Sequence, residues 1–368
     1  MKYIISISRF IVGILFIFSG LIKANDPLGL SYKMQEFFEV WGWHGLNNFT
    51  LTLSVLMIAV EIIAGVAVLV GWQMRLFSWL LLLLTVFFTF LTGYALFSGK
   101  IRECGCFGNC IPLTAQQSFI KDLVLLLLIL PIFFNRDKIK NAVSDRAAAI
   151  ILALTTLFSF GFQWYVLEHL PVVDCLPYKV GKNIPQQMKT PPGSIPDSTV
   201  ITFVYNKGGK QIEFTAEQFP EDFDESIYQF VKRYDKLVRK GNADIPIKDF
   251  VLLTAEGADS TQAVLSDPGT QVFLFTKGFE EKEPGWMNDF MQLFKTLKSK
   301  NIKVNIVTSS YDQVAAWAKA TGIFSDVSIF KSDFVAIKTA ARVNPTLYMV
   351  KNGTITGKWA ASDFDKVK

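Results

Sequence analysis

Hydrophobic residues form long continuous runs in the first half of the chain and short alternating runs in the second half. Five runs reach the length of about 20 residues that a helix needs to cross a bilayer. They are predicted to be transmembrane helices at 3–22, 51–72, 76–97, 118–134 and 147–167. The first run is longer than the apolar part of a signal peptide, and no small-residue cleavage site follows it, so we expect a retained helix.

Basic residues are concentrated in alternate loops between these runs, which predicts the orientation of the bundle. The basic residues of these loops are Lys2, Arg75, Arg136, Lys138, Lys140 and Arg146. The rule that positive charge stays inside makes this face, with the N-terminus, cytoplasmic. The loop at 23–50, the loop after the third run and everything after the fifth run are then expected outside, on the periplasmic side of a bacterial inner membrane.

The second half of the chain predicts a linker, an insert and an α/β domain. Five prolines and little apolar periodicity at 176–199 are typical of an extended linker, so 171–199 is interpreted as a linker, although its aromatic part at 174–181 is expected to lie on the membrane domain. Alternating runs on both sides of Gly208-Gly209 predict a β-hairpin, and helical periodicity follows at 224–240, so 200–245 is interpreted as a hairpin and helix insert.

From residue 246 to 368 the pattern alternates between strand and helix. Strands are predicted at 248–253, 271–276, 302–308 and 344–353, and helices at 285–298 and 313–320. The fold class is therefore a helical membrane bundle followed by a soluble α/β domain.

Composition supports a membrane protein. The 368 residues are 51% hydrophobic with a mean hydropathy of +0.32, which is too apolar for an ordinary soluble enzyme. The net charge of +5 is spread over both halves without a basic tract, so the sequence does not favour binding to nucleic acid.

Three of the four cysteines, Cys104, Cys106 and Cys110, lie in one glycine-rich loop after the third run, and Cys175 follows the fifth run. The predicted topology puts all four on the outer face. Thiols in this arrangement are typical of redox exchange, of a static disulfide or of a metal site with four thiolates. A bridge from Cys104 to Cys106 would be strained, whereas Cys106–Cys110 closes easily and Cys110–Cys175 would couple the loop to the tail.

Two ionisable residues lie inside predicted spans, and each needs a partner there because an unpaired charge in the bilayer is costly. These are Arg9 in the first span and Glu61 in the second. They are predicted to approach each other, either as a structural ion pair or as part of a proton or quinone site.

Aromatic residues crowd the outer loop between the first two spans: Phe37, Phe38, Trp41 and Trp43. An interfacial helix or aromatic belt explains them. The two histidines of the chain, His44 and His169, are expected to anchor the same interface, and a metal site built from both is the alternative.

The first three spans resemble a known membrane family. The pattern Arg9-x3-Gly13-x2-Phe16-x2-Ser19-Gly20-x2-Lys23, the pattern Glu61-x3-Gly65-x5-Gly71 and the sequence Cys104-Gly105-Cys106-Phe107-Gly108 resemble the DoxX-like family, particularly its MauE branch associated with methylamine utilisation. The resemblance covers about residues 3–135, and 1–135 is assigned to this domain. It implies a four-helix core that supplies disulfides or reducing equivalents to an extracytoplasmic partner.

The chain departs from this family pattern after residue 135. Cys110 is an additional thiol, residues 136–170 add a cytoplasmic loop and a fifth transmembrane helix, and a large tail follows. The tail from about 245 to 365 resembles a thioredoxin-like domain of the membrane-anchored TlpA type, with Pro345 at the position of the cis proline.

The junction at 277–286, where such a domain carries Cys-x-x-Cys at the start of a helix, contains no cysteine. This domain is therefore expected to bind or position a partner rather than perform dithiol chemistry, with Pro345 and Trp286 as residues of the binding loop.

These observations together leave two hypotheses for function. In the first, a membrane thiol-disulfide redox protein exchanges electrons or disulfides between its four outer cysteines and an extracytoplasmic protein partner, with a quinone as a candidate cofactor at Arg9 and Glu61 and with no metal. In the second, a non-enzymatic scaffold anchored among membrane lipids carries a static outer disulfide and a binding module.

Overall fold

The computed structural model describes residues 2–98, 101, 108, 110–195, 198–215, 218, 220, 227–239, 241, 245–247, 250–278 and 285–367. Cys104, Cys106 and most of the junction at 277–286 lie outside these ranges.

The described residues of the membrane region form six α-helices. They are α1 (Lys2–Ala24), α2 (Pro27–Trp41), α3 (Thr50–Val70), α4 (Met74–Ser98), α5 (Ala115–Phe134) and α6 (Asp145–Glu168). In the described part of the chain, all of these except α2 are long and apolar enough to cross a membrane, which confirms the five predicted spans. The chain is a multi-pass membrane protein.

Glycines allow α1 and α3 to approach each other closely. A Cβ atom added at Gly65 would lie 2.9 Å from the backbone oxygen of Gly13, so a larger residue would separate the two helices. The outward faces of the bundle carry large exposed apolar side chains such as Phe10, Leu83 and Leu127. Because water would solvate these side chains poorly, lipid covers this surface.

Helix α2 lies in the outer loop and is held at both ends by local capping. The Asp26 side chain accepts a hydrogen bond from the Gly29 backbone N–H, and Pro27 occupies the first turn, where proline is favoured. Gly42 adopts a left-handed conformation with φ 75° and ends the helix. The ring of Trp41 packs against Trp43 and Tyr94, and the aromatic loop contains a helix, which is one of the two explanations that the sequence leaves open. The end of the bundle where α1 and α6 end and α3 begins is called the outer end.

The insert between the membrane region and the C-terminal domain is a three-stranded antiparallel sheet of order β2-β1-β3. Its strands are β1 (Ser198–Lys207), β2 (Lys210–Thr215) and β3 (Tyr228–Arg239). The hairpin about Gly208-Gly209 is confirmed, but the helix predicted at 224–240 is wrong. Backbone pairing of β3 along β1, from Tyr228 opposite Lys207 to Arg239 opposite Ser198, overrides the helical spacing of its apolar residues.

The C-terminal domain contains a five-stranded mixed sheet of order β6-β5-β4-β7-β8. The strands are β4 (Thr270–Thr276), β5 (Lys303–Thr308), β6 (Val327–Lys331), β7 (Thr346–Lys351) and β8 (Thr354–Ala360). Strands β4, β5 and β6 are parallel, and β7 and β8 run antiparallel to β4 as a hairpin.

The helices of this region are α7 (Ile184–Gln187), α8 (Thr261–Leu265), α9 (Trp286–Ser299), α10 (Tyr311–Ala320) and α11 (Phe334–Ala340). The peptide bond between Asn344 and Pro345 is cis, as the thioredoxin-like resemblance implies. The predicted strand at 248–253 is not formed in its described part, where Leu253 makes isolated bridges to Asp259 and Lys331. The remaining predicted strands and helices are confirmed, and the domain is consistent with a thioredoxin-like fold.

The segment predicted as a linker, 171–199, belongs in part to the soluble domain. Tyr178 and Ile184 are buried in the same apolar core as Phe275 and Tyr348. The backbone of Gly181 donates to Ile355 of strand β8, which fixes the segment along the sheet edge. The prediction that 174–181 lies on the membrane domain is therefore wrong for Tyr178, because its ring is taken up by the core of the C-terminal domain.

Candidate functional site

Cys110 and Cys175 form a disulfide with their Cα atoms 4.9 Å apart. Cys110 lies shortly before α5, and Cys175 lies shortly after α6, so the bond joins two chain segments at the outer end of the bundle. This is one of the pairings that the sequence leaves open. Both cysteines are half-buried. Cys104 and Cys106 lie outside the described residues, so their part in the predicted site stays a prediction.

The chain next to Cys175 runs directly into the soluble domain. Asp174 accepts a hydrogen bond from the Lys358 ammonium group on strand β8 at 2.8 Å. Burial lowers the pKa of Lys358, and the negative charge of Asp174 opposes that shift. Tyr178, three residues beyond the cysteine, is buried in the domain core. The disulfide therefore connects the membrane loop to the point where the C-terminal domain begins.

A cavity of about 710 Å³ lies beside this disulfide, between α2 and the C-terminal domain. Cys175 and Gly108 line it, and Gly108 belongs to the predicted cysteine loop. Its other walls carry Tyr32 and Lys33 from α2 and Arg342 from the C-terminal domain. One end of the disulfide therefore borders a space large enough for a peptide segment.

Basic residues of the C-terminal domain contact α2 and the residue that caps it. Arg342 donates from Nε to Oδ2 of Asp26 at 3.0 Å, and Lys338 donates from Nζ to Oε1 of Gln35 at 3.0 Å. Lys277 donates from Nζ to the hydroxyl of Tyr32 at 2.6 Å. These contacts dock the soluble domain onto the outer end of the membrane bundle.

The ring of Tyr32 is the centre of this docking surface. Lys277, Lys338 and Arg342 place their cationic groups 4.8 to 5.3 Å from its centroid, within the range of cation–π attraction. Burial raises the pKa of Tyr32 to about 12, with Arg342 lowering it and Asp26 raising it. Tyr32 therefore stays protonated near neutral pH, and its hydroxyl remains available as a hydrogen-bond donor.

A second cavity, of about 640 Å³, lies on the cis-proline face of the C-terminal domain. Trp286 and Asn344, the residue before Pro345, line it from the soluble side. Trp164 and Glu168 of α6 line it from the membrane side. The face predicted to bind a partner through Trp286 and Pro345 is thus directed towards the membrane bundle. Its binding role stays a prediction.

Asn344 holds the end of β4 in place at this face. Its side-chain oxygen accepts from the Lys277 backbone N–H at 2.9 Å and from the Thr276 hydroxyl at 3.2 Å, and its amide donates to the Gly278 carbonyl at 3.2 Å. In a thioredoxin-like oxidoreductase the next residues carry the cysteines, and this chain has none there. The asparagine therefore holds the end of β4 and the first two residues after it, just before the position where such an oxidoreductase carries its cysteines.

The predicted pairing of Arg9 with Glu61 is wrong. Glu61 is paired with Lys23, whose Nζ lies 3.0 and 2.8 Å from the two carboxylate oxygens, and both residues are buried. Arg9 instead donates to the carbonyl oxygens of Val68 and Leu69 at 3.0 to 3.1 Å, where α3 ends. A cation there is favourable because the last helical carbonyls lack partners in their own helix.

Arg9 and Glu61 do not fit a quinone site. Their polar groups are engaged with helix carbonyls and with Lys23, at separate places in the bundle. The cavity beside Glu61 has a volume of about 20 Å³, which is room for one water molecule rather than an aromatic ring. No step of the chemistry is therefore assigned to a quinone at these residues.

The two histidines do not act together in the described structure. His44 is exposed after α2, whereas Nδ1 of His169 lies 3.0 Å from a carboxylate oxygen of Asp363 in the C-terminal domain. Among the described residues, no group of three histidine, cysteine or acidic side chains is placed to hold a metal. His169 instead ties the end of α6 to the soluble domain.

Sequence reasoning missed the residues that dock the two parts: Tyr32, Lys277, Lys338 and Arg342. Nothing in their local pattern separates them from ordinary surface residues. It also missed Asp122 inside the fourth span, where an acidic residue is costly. An acidic residue inside an apolar span is visible in the sequence and could have been singled out. In the structure, Asp122 is buried and is bonded to Thr92 and Lys121.

Two family models and one curated protein resemble parts of the chain. Residues 1–135 match the family model described as Methylamine utilisation protein MauE, and residues 199–240 match a Domain of unknown function (DUF8463). The protein TlpB of Flavobacterium psychrophilum is 27% identical over 159 residues, which cover 41% of this chain and 42% of that protein. The chain thus spans less than half the length of this curated relative. No solved structure matches. The MauE-like membrane region that the sequence predicts is confirmed.

Proposed function

We propose that the protein is a membrane thiol-disulfide redox protein that exchanges disulfides or electrons with a protein partner at the outer face of its bundle. Cys110 and Cys175 are the exchanging pair, and Cys104 and Cys106 act in the same loop. The observation that carries this proposal is the position of the Cys110–Cys175 disulfide, which borders a cavity between the membrane loop and the C-terminal domain.

The chemistry is a thiol-disulfide exchange. A thiolate of the partner attacks one sulfur of the Cys110–Cys175 bond, a mixed disulfide forms, and the other cysteine leaves as a thiolate that takes up a proton. A second thiol then attacks the mixed disulfide and releases the partner or this protein. The direction depends on the starting state of this protein: its disulfide form oxidises a dithiol partner and is itself reduced, whereas its dithiol form reduces a disulfide partner and is itself oxidised.

The C-terminal domain supports this role as a binding module. It has a thioredoxin-like sheet and a cis proline but no cysteine after Cys175, so it has no dithiol of its own. Basic residues hold it against α2, next to the disulfide. In this arrangement the domain recruits the partner, with Pro345 and Trp286 on its binding face, while the membrane loop supplies the reactive sulfurs.

The cellular placement that follows is a bacterial inner membrane with the N-terminus in the cytoplasm and the C-terminal domain in the periplasm. Its basis is the excess of basic residues in the loops opposite the disulfide. Docking of the soluble domain on α2 supports one part of this topology, since it requires the outer loop and the tail to share a face. A membrane-impermeant maleimide, applied to whole cells after gentle reduction, should label Cys110 and Cys175 without permeabilisation.

A second function is favoured by one observation, which is that both cysteines of the disulfide are half-buried. In that alternative the disulfide is a permanent brace, and the protein is a scaffold that holds a binding domain at the membrane. The two functions differ in whether the disulfide is ever opened.

Variants with one cysteine removed distinguish these functions. Cys175→Ser leaves Cys110 with a free thiol, so an exchanging protein should accumulate as a mixed disulfide with its partner, visible in diagonal gels of cell membranes. Cys110→Ser should trap the complementary adduct. The double variant Cys110→Ser/Cys175→Ser is the matched control and should show neither. If the wild-type bond is never reduced in cells and neither single variant captures a protein, the scaffold function is correct.

A further inference from the structure

Four charged side chains lie close together inside the membrane bundle. Lys23 of α1 pairs with Glu61 of α3, and Lys121 pairs with Asp122, both on α5. The Thr92 hydroxyl of α4 donates to the second carboxylate oxygen of Asp122 at 3.0 Å. Two positive and two negative charges balance, so the group is neutral overall, which lowers the free energy needed to keep it in the bilayer.

A small cavity lies between the two ion pairs. Lys23, Glu61, Lys121 and Asp122 all line it, and its volume is about 20 Å³. A water molecule needs roughly this space, together with two to four polar partners. The charged atoms around the cavity provide such partners.

Thr85 is the independent sign that the cavity has an occupant. Its side chain lines the cavity, it is 2% exposed, and its hydroxyl has no hydrogen-bond partner among the described residues. A buried hydroxyl without a partner destabilises a fold, so native proteins satisfy such groups with protein atoms or bound water. A water in the cavity would satisfy Thr85 and bridge the two ion pairs.

The small cavity is connected to the disulfide through Lys23. This side chain lines the intramembrane cavity, and it also lines the cavity of about 710 Å³ that contains Cys175. Lys23 therefore lies in the wall that the two cavities share. Any proton that the cluster takes from the outer cavity adds one positive charge to it, and this charge is lost again when a proton returns.

We propose that the cavity bounded by Lys23, Glu61, Thr85 and Asp122 holds a bound water, and that this hydrated site exchanges protons with the cavity beside Cys175. Use of the site in catalysis rests on the proposed function, in which the attacking thiol loses a proton and the leaving thiolate gains one. The hydration and the proton exchange do not rest on it. They are properties of the resting, oxidised protein.

Replacement of Thr85 by valine tests the bound water through the sign of a stability change. The full chain is placed in lipid nanodiscs, and thermal unfolding of Thr85→Val is compared with that of Thr89→Val. Thr89 lies one turn further along α4, and its hydroxyl donates to the carbonyl of Thr85, so it is a matched control outside the cavity. A hydrated cavity predicts a lower midpoint for Thr85→Val than for the control. A higher midpoint would mean that an unsatisfied hydroxyl had been removed from a dry cavity, and the proposal would be wrong.

Infrared spectroscopy of the oxidised protein tests proton exchange. On acidification, the carboxylic acid bands of the site are assigned by their loss in Glu61→Gln and in Asp122→Asn. Transfer from H2O to D2O should shift these bands as fast as those of exposed carboxyl groups. Bands that stay unshifted for hours, or carboxylates that stay unprotonated until the protein unfolds, would overturn the exchange. A disulfide that proves static would refute the proposed function. The unfolding and infrared experiments would still show whether the cavity holds water and exchanges protons.

Discussion

The guanidinium of Arg342 donates from Nε to Oδ2 of Asp26 across 3.0 Å and so joins the C-terminal domain to the outer loop of the membrane region. Only 8% of the Arg342 side chain and 14% of the Asp26 side chain are exposed. Asp26 also caps α2 by accepting from the Gly29 backbone N–H with its other oxygen. One carboxylate therefore serves both the start of an outer helix and the docking of a separate domain.

Loss of this ion pair should weaken docking. Arg342→Gln leaves the buried carboxylate of Asp26 without its counter-charge, and breaking such a pair destabilises proteins by about 3 kcal/mol. Asp26→Asn keeps a residue that caps helices well, so it should remove the charge while retaining much of the cap. Thermal unfolding of both single variants and of the double variant should give a favourable coupling energy between the two positions.

An exposed ion pair of the same chain provides the control. Arg75 bonds to Asp137 with 82% and 56% of the two side chains exposed, so Arg75→Gln should change stability by less than about 1 kcal/mol. Additive effects of Arg342→Gln and Asp26→Asn would contradict the importance of the buried pair.

For the intramembrane pair of Lys23 and Glu61, we expect that removing both charges destabilises the protein less than removing one. Lys23→Met and Glu61→Gln each leave one charge buried in the bilayer, and each should destabilise the bundle by about 3 kcal/mol. The double variant buries no charge at this pair, so it should be more stable than either single variant. Unfolding of the three variants in nanodiscs measures this directly. If the double variant is the least stable of the three, Lys23 is not the counter-charge of Glu61.

The sequence predicted the transmembrane spans well because their length and apolarity depend on local composition alone. It did not predict the partner of Glu61. Hydropathy indicates roughly how deep a residue lies, but it does not give the rotation of one helix relative to the next. Lys23 occupies the last turn of α1, and the structure directs its ammonium group inwards to Glu61 and the ring of Phe88.

In the soluble part, too, the sequence predicted the elements but not the contacts between distant residues. Strands β4, β5 and β7 were predictable because buried strands have continuous apolar sequences bounded by turns. The role of Tyr178 was not predictable, since a single aromatic residue in a proline-rich segment has no periodicity. The disulfide was predictable as one of several pairings, because proximity of Cys110 to Cys175 depends on how α5 and α6 return the chain to the outer face.

A C-terminal fragment should need the segment before residue 198 to be stable. Residues 174–195 contribute Tyr178 and Ile184 to the domain core, and loss of a buried aromatic side chain alone destabilises by about 3 to 5 kcal/mol. Fragment 174–368, with Cys175→Ser to prevent dimer formation, should therefore unfold at higher urea concentration than fragment 198–368. The single variant Tyr178→Ala in the longer fragment should fall between the two.

The result that contradicts this prediction is equal stability of the two fragments. It would mean that 174–195 is a linker, as its prolines suggest, and that the contacts of Tyr178 add nothing to the domain. If the short fragment fails to fold while the long one folds, residues 174–195 are an essential part of the C-terminal domain.

Docking of the C-terminal domain at the end of α6 should weaken in acid. Burial raises the pKa of Asp363, but hydrogen bonds from Lys366 and His169 lower it more, so the net pKa lies below its ordinary value of 3.8. The folded protein then binds this proton less tightly than the unfolded chain does. The stabilisation is complete above pH 3.8 and is lost as the pH falls through the lowered pKa.

Asp363→Asn removes this pH-dependent contribution. At neutral pH we expect the variant to be less stable than the wild type by about 1 kcal/mol, because the partners of Asp363 are partly exposed. Thermal unfolding measured from neutral pH downwards should show the two proteins converging below about pH 4. Asp365→Asn, which removes an exposed carboxylate two residues away, is the control and should show no convergence of this kind. A constant difference between Asp363→Asn and wild type at every pH would indicate that the carboxylate acts through packing rather than through its charge.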